Sequence, residues 1–308
     1  MKTDWKNRMA IHILTRMRHP YLSCLLHSLL QQTYTNWDLF ILDNNDEQFH
    51  IQRDHLIVSI LTRMRYNKHD IVVVRPNTDE LKKNIGQSRN ILIDASKEYK
   101  WAVRIDDDSI LDKHYLERLW DVIKSKPNEN ISAVGGVVPT YQGPELWKYP
   151  PKIFNEIKKT PVPERYLKLS KKYPELGGFK NETEEYYNVG EPLDDGAYLY
   201  HPEHDTVIVS HHLRSSYLFS ISVLSEIGGF PSSDDTGFRE ETIASIKMLE
   251  KGYKLYTHTQ AIAWHLWAPN LGRGYSQEYT PEDHEKKILK NEITFQRKYR
   301  DILRKLFS

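Results

Sequence analysis

The chain reads as an α/β fold: a mostly parallel central sheet flanked by helices, with an irregular insert and a C-terminal helix. Three observations predict this. Short apolar runs alternate with helical patterns through the first 138 residues, the pattern of strands joined by helical crossovers. Two of those runs stop in carboxylates, at Asp43 and Asp106, and ligands of such sheets bind at the carboxyl ends of strands. The 308 residues, 39% hydrophobic and 28% charged, suffice for one large domain of this kind or two small ones.

Met9 to Leu14 is a compact apolar run, read as a buried strand. Tyr21, Leu22, Leu25, Leu26, Leu29 and Leu30 then recur at helical spacing. Trp37 to Leu42 is a second strand, ending in Asp43-Asn44-Asn45-Asp46. His55 to Arg65 puts Leu56, Ile57, Ile60, Leu61 and Met64 on one helical face. Ile71 to Val74 is a third strand, stopped by Pro76, and Ser88 to Ala95 suggests another helix. Trp101 to Ile105 runs straight into Asp106-Asp107-Asp108. Asp112 stands where it would cap a helix carrying Leu116, Leu119, Val122 and Ile123. Ser132 to Val138 is a fifth strand. From 139 to 207 prolines, charges and tyrosines replace periodicity, and one helix is expected near Glu164 to Lys172. Order returns at Thr206 to Val209 and Tyr217 to Ile221. A helix over Ala244 to Leu249 and short strands at Tyr253 to Thr257 and Ala261 to Trp264 follow. The tail from Pro281 to Phe307 is helical and rich in Lys and Arg. The hexamer Ile-Leu-Thr-Arg-Met-Arg occurs at 13–18 and at 60–65, in a strand end and in a helix, and reads as coincidence.

The formal net charge of +1 gives no global field pointing to nucleic acid. The one cysteine, Cys24, allows no internal disulfide. No apolar stretch of signal-peptide type follows the first residues, and no window approaches the roughly 20 apolar residues that span a bilayer. A cytoplasmic location is expected.

Three adjacent carboxylates raise one another's pKa unless a cation neutralises them. A hard divalent ion such as Mg²⁺ or Mn²⁺ prefers oxygen ligands and bridges carboxylates to substrate phosphates. A departing diphosphate needs that neutralisation. On an extended segment Asp106 and Asp108 point one way and Asp107 the other, unless the chain turns there. Taken alone, the triplet reads equally well as a solvated acidic turn.

The context adds Asp43 at a second strand end, where a base or ribose would find an acceptor. Asn84-Ile85-Gly86-Gln87-Ser88-Arg89-Asn90 opens a helix whose N-terminus favours anions. Thr15-Arg16 follows the first strand. Gly228-Gly229-Phe230-Pro231 is a tight turn, Glu240-Glu241 begins a helix, and Trp264-His265 closes a late strand.

In order and spacing these segments resemble the family 2 glycosyltransferases. That family has a Gln-Thr-Tyr-x-Asn-Trp-like segment, here Gln32 to Trp37, then a strand ending in Asp, here Asp43. An Asn-x-Gly…Arg-Asn stretch, an Asp-x-Asp metal motif, a Gly-Gly-Phe turn, an acidic pair and a Trp-His follow. The resemblance spans Met9 to Leu266. It implies the nucleotide-sugar-binding fold called GT-A, and a transferase moving a sugar from a nucleotide-diphosphate donor, UDP being the commonest carrier, with inversion. It implies Glu241, with Glu240 beside it, as base. It implies Asp108 and His265, with Asp106 assisting, as ligands of Mn²⁺ or Mg²⁺. Thr15, Arg16, Asp43, Arg89, Asp106 and Asp107 are expected around the donor. Residues 1–280 then form the catalytic domain, with a nucleotide-binding half (1–138), the insert (139–207) and an acceptor half (208–280), followed by the tail (281–308). Three features depart from the family: Glu-Glu replaces Glu-Asp, Asp43-Asn44-Asn45-Asp46 replaces Asp-Asp-Gly-Ser, and the insert from Pro139 to Val207 matches no segment of its pattern.

The acceptor is open, a glycan being favoured. Tyr141, Trp147, Tyr149, Tyr166, Tyr173, Tyr186, Tyr187, Tyr198 and Tyr200 of the insert suit sugar stacking and plain packing equally. The loop with Gly272, Arg273 and Gly274 reads as a lid over the donor or as a plain loop. The basic tail reads as a solvated helix face, with peripheral membrane contact as the alternative. A nucleotidyltransferase is the competing enzyme, but it would carry a Gly-rich loop where Thr15 to Pro20 has no glycine. A non-catalytic nucleotide-sugar-binding protein would have lost the triplet or the base.

Overall fold

The computed structural model describes residues 8–76, 84–139, 157–189, 207–232, 239–266 and 280–308. In chain order the strands are β1 (Met9–Thr15), β2 (Trp37–Asp43), β3 (Ile71–Val74), β4 (Trp101–Asp106), β5 (Ser109–Leu111), β6 (Ile131–Val137), β7 (Ile157–Thr160), β8 (Tyr186–Val189), β9 (Val207–Ser210), β10 (Tyr217–Ser220) and β11 (Lys254–His265). The α-helices are α1 (His19–Leu30), α2 (His55–Tyr66), α3 (Ile85–Ala95), α4 (Tyr115–Ser125), α5 (Glu164–Lys172), α6 (Ile221–Glu226), α7 (Glu240–Glu250), α8 (Pro281–Lys298) and α9 (Arg300–Phe307).

The central sheet runs β3-β2-β1-β4-β10-β6-β11-β5, with β9 also on β11. It is parallel from β3 to β4, as the alternating pattern predicts. Beyond β4 it is mixed: β10 lies antiparallel between β4 and β6, and β6 and β11 pair in parallel. Side chains alternate across each strand and build two cores. Met9, Ile11 and Ile13 of β1, with Leu39 and Ile41 of β2, meet α1, α2 and α4 on one face. Ala10, Phe40, Leu42 and Ala102 meet α3, α6 and α7 on the other. Such fully buried Leu, Ile and Phe side chains stabilise the fold by about 1.5–3 kcal/mol each. The helix starts are fixed by local chemistry. Asp54 accepts from Leu56 and Ile57 N–H at the head of α2, and Asn84 from Gln87 N–H at the head of α3. Thr280 and Asp283 form a reciprocal capping box on α8.

The described part of the insert is ordered, contrary to the irregular segment expected. β7 and β8 pair antiparallel, and α5 covers the expected Glu164 to Lys172. Tyr166, Tyr173, Tyr186 and Tyr187 are buried against α8 and α9, so these four are packing residues rather than a sugar platform. Three further expectations shift. Asp112 does not cap α4; its carbonyl accepts the N–H of Tyr115 at 3.0 Å. The two short strands at 253–264 are one strand, β11, because an irregularity between Thr257 and Ile262 absorbs the polar His258-Thr259-Gln260. Leu56 is on the exposed side of α2. The loop with Gly272, Arg273 and Gly274 lies outside the described residues, as do Tyr141, Trp147, Tyr149, Tyr198 and Tyr200. Among the described residues no helix is long and apolar enough to cross a membrane.

Candidate active site

The parallel register sets Thr15 beside Asp43 and Leu14 beside Asp106, so three neighbouring strands end at one edge. The turn that leaves β1 is held from β2. Met17 sits at φ 56°, a left-handed conformation costly for a residue with a side chain. Its N–H donates to Asn45 Oδ1 at 2.5 Å. Asn45 is fixed in turn by Asp43, whose Oδ1 accepts Asn45 N at 3.0 Å and Nδ2 at 2.6 Å. Asp43 Oδ2 accepts Ile51 N at 3.1 Å and lies 3.3 Å from His50 Nε2. Asp43 is wholly buried, and both its oxygens organise this loop. Arg16 is half-buried at the end of β1.

The acidic triplet turns as β4 ends. The short β5 then pairs antiparallel with the end of β11, setting Ser109 opposite His265. Leu266 N–H donates to the Asp108 carbonyl at 2.8 Å. The result brings His265 Nε2 to 3.2 Å from Asp108 Oδ1, across 157 residues of sequence. Asp107 and Asp108 share one cation: Arg18 Nη1 lies 2.9 Å from Asp107 Oδ1 and 3.0 Å from Asp108 Oδ2. Asp106 is drawn elsewhere, to Arg89 Nη2 at 3.0 Å and Arg104 Nη2 at 3.4 Å. The simple alternation of a strand, with Asp106 beside Asp108, is therefore replaced by Asp107 beside Asp108.

Arg104 connects the triplet to the first turn of α7. Its Nη2 lies 2.5 Å from Glu241 Oε1 and 3.7 Å from Glu240 Oε1, and Arg89 Nε is 3.9 Å from Glu240. Three carboxylates thus surround two guanidiniums, leaving one surplus negative charge. Burial, reinforced by the Glu241 charge, pushes Glu240 up to about 7. Burial opposes the ionised Asp106 as well, but Arg104 and Arg89 outweigh it and hold that carboxyl far below the usual range. For Asp107 burial wins over Arg18, and the carboxyl rises to about 6. His265 is raised despite its burial because Asp108 accepts its hydrogen bond.

Of the expected metal ligands, Asp108 and His265 are in contact, while Asp106 pairs with Arg89 and Arg104 and acts on His265 through its charge. Among the described residues no three or more His, Cys, Asp or Glu side chains form a metal cluster. A carboxylate oxygen and an imidazole nitrogen at one point are a fitting partial set for Mn²⁺ or Mg²⁺, whose remaining positions diphosphate oxygens and waters fill.

A family model described as Glycosyl transferase family 2 matches residues 10–180, more than half the chain. The chain belongs to glycosyl transferase family 2. No curated protein matches it. Among solved structures, S. aureus TarS 1–349 in complex with UDP-GlcNAc aligns with a TM-score of 0.54 at 14% identity, covering 96% of this chain and 75% of that one. GalNAc-T7 with UDP, GalNAc and Mn²⁺ aligns with a TM-score of 0.55 at 11% identity, over 84% of this chain and 44% of that one. Against the longer S. aureus TarS structure the TM-score is 0.52, and the chain spans 37% of that chain's length. The likeness is one of fold, and the fold is GT-A.

Within this family member the motif residues have visible structural jobs. Asn90 clamps the Gly-Gly-Phe turn, donating to Phe230 O at 2.9 Å and accepting from Phe230 N at 2.8 Å. Gly229 at φ 72° packs against Asn90, and Gly86 packs against Pro231. Sequence reasoning missed Arg18 and Arg104. The signal for Arg104 was present: a fully charged residue two places before the triplet, inside an otherwise apolar strand, demands buried partners. Three cations of the basic tail pair with carboxylates: Lys286 with Glu282 at 2.9 Å, Arg304 with Glu185 at 2.5 Å and Lys305 with Glu250 at 3.6 Å.

Proposed function

We propose that this chain transfers a sugar from a nucleotide-diphosphate donor to an acceptor hydroxyl by direct, inverting displacement. One observation carries the reading: the end of β4 connects to two pairs of side chains, which we read as a donor-side pair and a base pair. Asp108 and His265 form the first pair at 3.2 Å. Glu240 and Glu241 form the second, tied to β4 through Arg104. Family membership supports the reaction class. The UDP-GlcNAc complex of TarS and the UDP, GalNAc and Mn²⁺ complex of GalNAc-T7 support a UDP-sugar donor. A hexosyl group, a glycan acceptor and a cytoplasmic location complete the proposal.

Asp108 and His265 would hold Mn²⁺ or Mg²⁺, which when bound neutralises the charge building on the diphosphate. Thr15, Arg16 and the loop that Asp43 organises border the nucleotide. Glu241, more exposed than Glu240, meets the acceptor hydroxyl, and the two carboxylates take its proton as a coupled unit. A base poised near neutrality suits that transfer, and Glu240 at about 7 supplies it. Asp106 and Arg89 fix the electrostatics between the two pairs.

The test is release of nucleoside diphosphate from a panel of nucleotide sugars, with and without Mn²⁺, for the native chain and Asp108→Ala. Metal-dependent release from one donor, reduced at least about a hundred-fold in the variant, is the expected result. If no nucleotide sugar binds in calorimetry with Mn²⁺ present, the proposal fails.

A further inference from the structure

The acidic triplet already has a cation. The Arg18 guanidinium bridges Asp107 and Asp108 through one nitrogen, at 2.9 and 3.0 Å, while the two carboxylate side chains are 5% and 3% exposed. It is held there by design of the backbone. Arg18 stands immediately before α1 and immediately after Met17, whose left-handed φ is pinned by Asn45, itself pinned by Asp43. A loop that maintains an unfavourable backbone conformation to aim one side chain indicates that the side chain's position matters.

That position conflicts with a divalent ion. Asp108 offers Oδ1 toward His265 and Oδ2 to Arg18. A dication on Asp108 and His265 would share one almost wholly buried carboxylate with a guanidinium, where water screens the repulsion weakly. Of the two candidate ligands in the described residues, Asp108 is already engaged by Arg18, which weakens its hold on an ion. A nucleoside diphosphate changes both terms. It adds oxygen ligands and negative charge, and phosphate oxygens bind a guanidinium as well as carboxylates do.

We infer that Arg18 is the resident counter-cation of the triplet, competing with a divalent ion for Asp108, and that an arriving diphosphate draws it away so that metal and nucleotide bind together. The inference rests on the proposed function only for the identity of the diphosphate. Arg18 is then a positioning residue with two partners, carboxylates before the donor binds and phosphate afterwards.

The experiment is calorimetric titration of Mn²⁺ into the native chain, Arg18→Lys and Arg18→Gln, each with and without uridine diphosphate, with circular dichroism to confirm folding. Lysine keeps the charge on a side chain one bond shorter, so its ammonium falls short of the point where Nη1 bridges the two carboxylates. Without nucleotide, Mn²⁺ affinity should rise from native to Arg18→Lys to Arg18→Gln, the last by at least about ten-fold. Uridine diphosphate should tighten Mn²⁺ at least about ten-fold in the native chain and less in Arg18→Gln. If Arg18→Gln does not fold, the gain in Arg18→Lys carries the same test. Equal or weaker Mn²⁺ binding in the variants, or no Mn²⁺ binding by any of the three, overturns the competition. If uridine diphosphate bound none of the three, the nucleotide-sugar reading would fall together with the diphosphate half of this inference, while the Mn²⁺ ranking would still decide the competition.

Discussion

His12 lies in β1 with 4% of its surface exposed, edge-on to Phe40 and Phe219 at 5.9 and 5.8 Å, its Nε2 2.7 Å from Ser96 Oγ. Burial, and then the charge of Arg89, lower its pKa to about 3. The unfolded chain binds a proton at this ring below about pH 6.5 and the folded chain does not, so this group's stability is present above 6.5 and is lost as pH falls toward 3. Glu240 and Asp107 act oppositely, because their raised pKa values favour the folded state as pH falls. Comparing the native chain with His12→Met cancels those terms. Urea denaturation should show the stability gap between the two narrowing by about 2 kcal/mol from pH 7 to pH 5. A constant gap would mean that the ring titrates in the folded state. The same scale separates what sequence revealed from what it hid. Asp106 to Asp108, Glu240, Glu241 and His265 were picked out by the order in which they resemble the family's motifs. Their partners were not. Asp106 turns to Arg104 and Arg89, and Asp43 folds its own loop, and both outcomes depend on side chains that only the folded chain brings near.

Helix α3 shows the same division one level up. Its existence was legible from apolar spacing and its opening from the Asn84-to-Asn90 segment, and the Asn84 cap fixes the start at Ile85. What the pattern concealed is the surface it docks on. A Cβ at Gly86 would fall 1.7 Å from the carbonyl oxygen of Pro231, and Asn84 Nδ2 donates to Ser232 Oγ at 2.5 Å. With the two bonds from Asn90 to Phe230, α3 and the turn after α6 form one unit that fixes Arg89 beside Asp106. Gly86→Ala should therefore cost about 3 kcal/mol of unfolding free energy, since backbone must move to admit the methyl group. Gly252→Ala is the control: φ is 83° but nothing lies within 4 Å of its added methyl, so only backbone strain of about 1–2 kcal/mol is expected. Equal losses in the two urea midpoints would show that the contact of α3 with the turn is not tight. The same reasoning explains why β11 was read as two strands: its polar centre breaks the alternation, while β6 pairs on both sides of it and β9 pairs up to His258.

At the scale of the whole molecule, the tail and the insert converge on α7, which carries the proposed base pair. Glu292 of α8, 2% exposed, pairs with Arg239 at 2.5 Å, and Arg239 immediately precedes Glu240. Tyr166 of α5 donates to the same carboxylate at 3.2 Å. Gln296 donates to Glu292 Oε1 at 2.9 Å and to Tyr187 O at 2.8 Å, while accepting Tyr187 N–H at 3.0 Å. Sequence showed the basic face of this tail and missed the buried carboxylate on its other side, because a Glu within a charged run looks solvated until the fold covers it. Glu292→Ala leaves a buried guanidinium without its main partner and should cost about 3–5 kcal/mol. The β1–β4 half of the sheet, where the donor is proposed to lie, is not touched. Donor turnover should accordingly lose kcat with KM for the donor unchanged. The double variant Arg239→Met/Glu292→Met distinguishes packing from positioning, since replacing both members of a buried ion pair by apolar side chains is often neutral or stabilising. Stability regained without kcat would mean that the pair orients the first turn of α7 for proton transfer. Stability and kcat regained together would mean that it only joins the tail to the body.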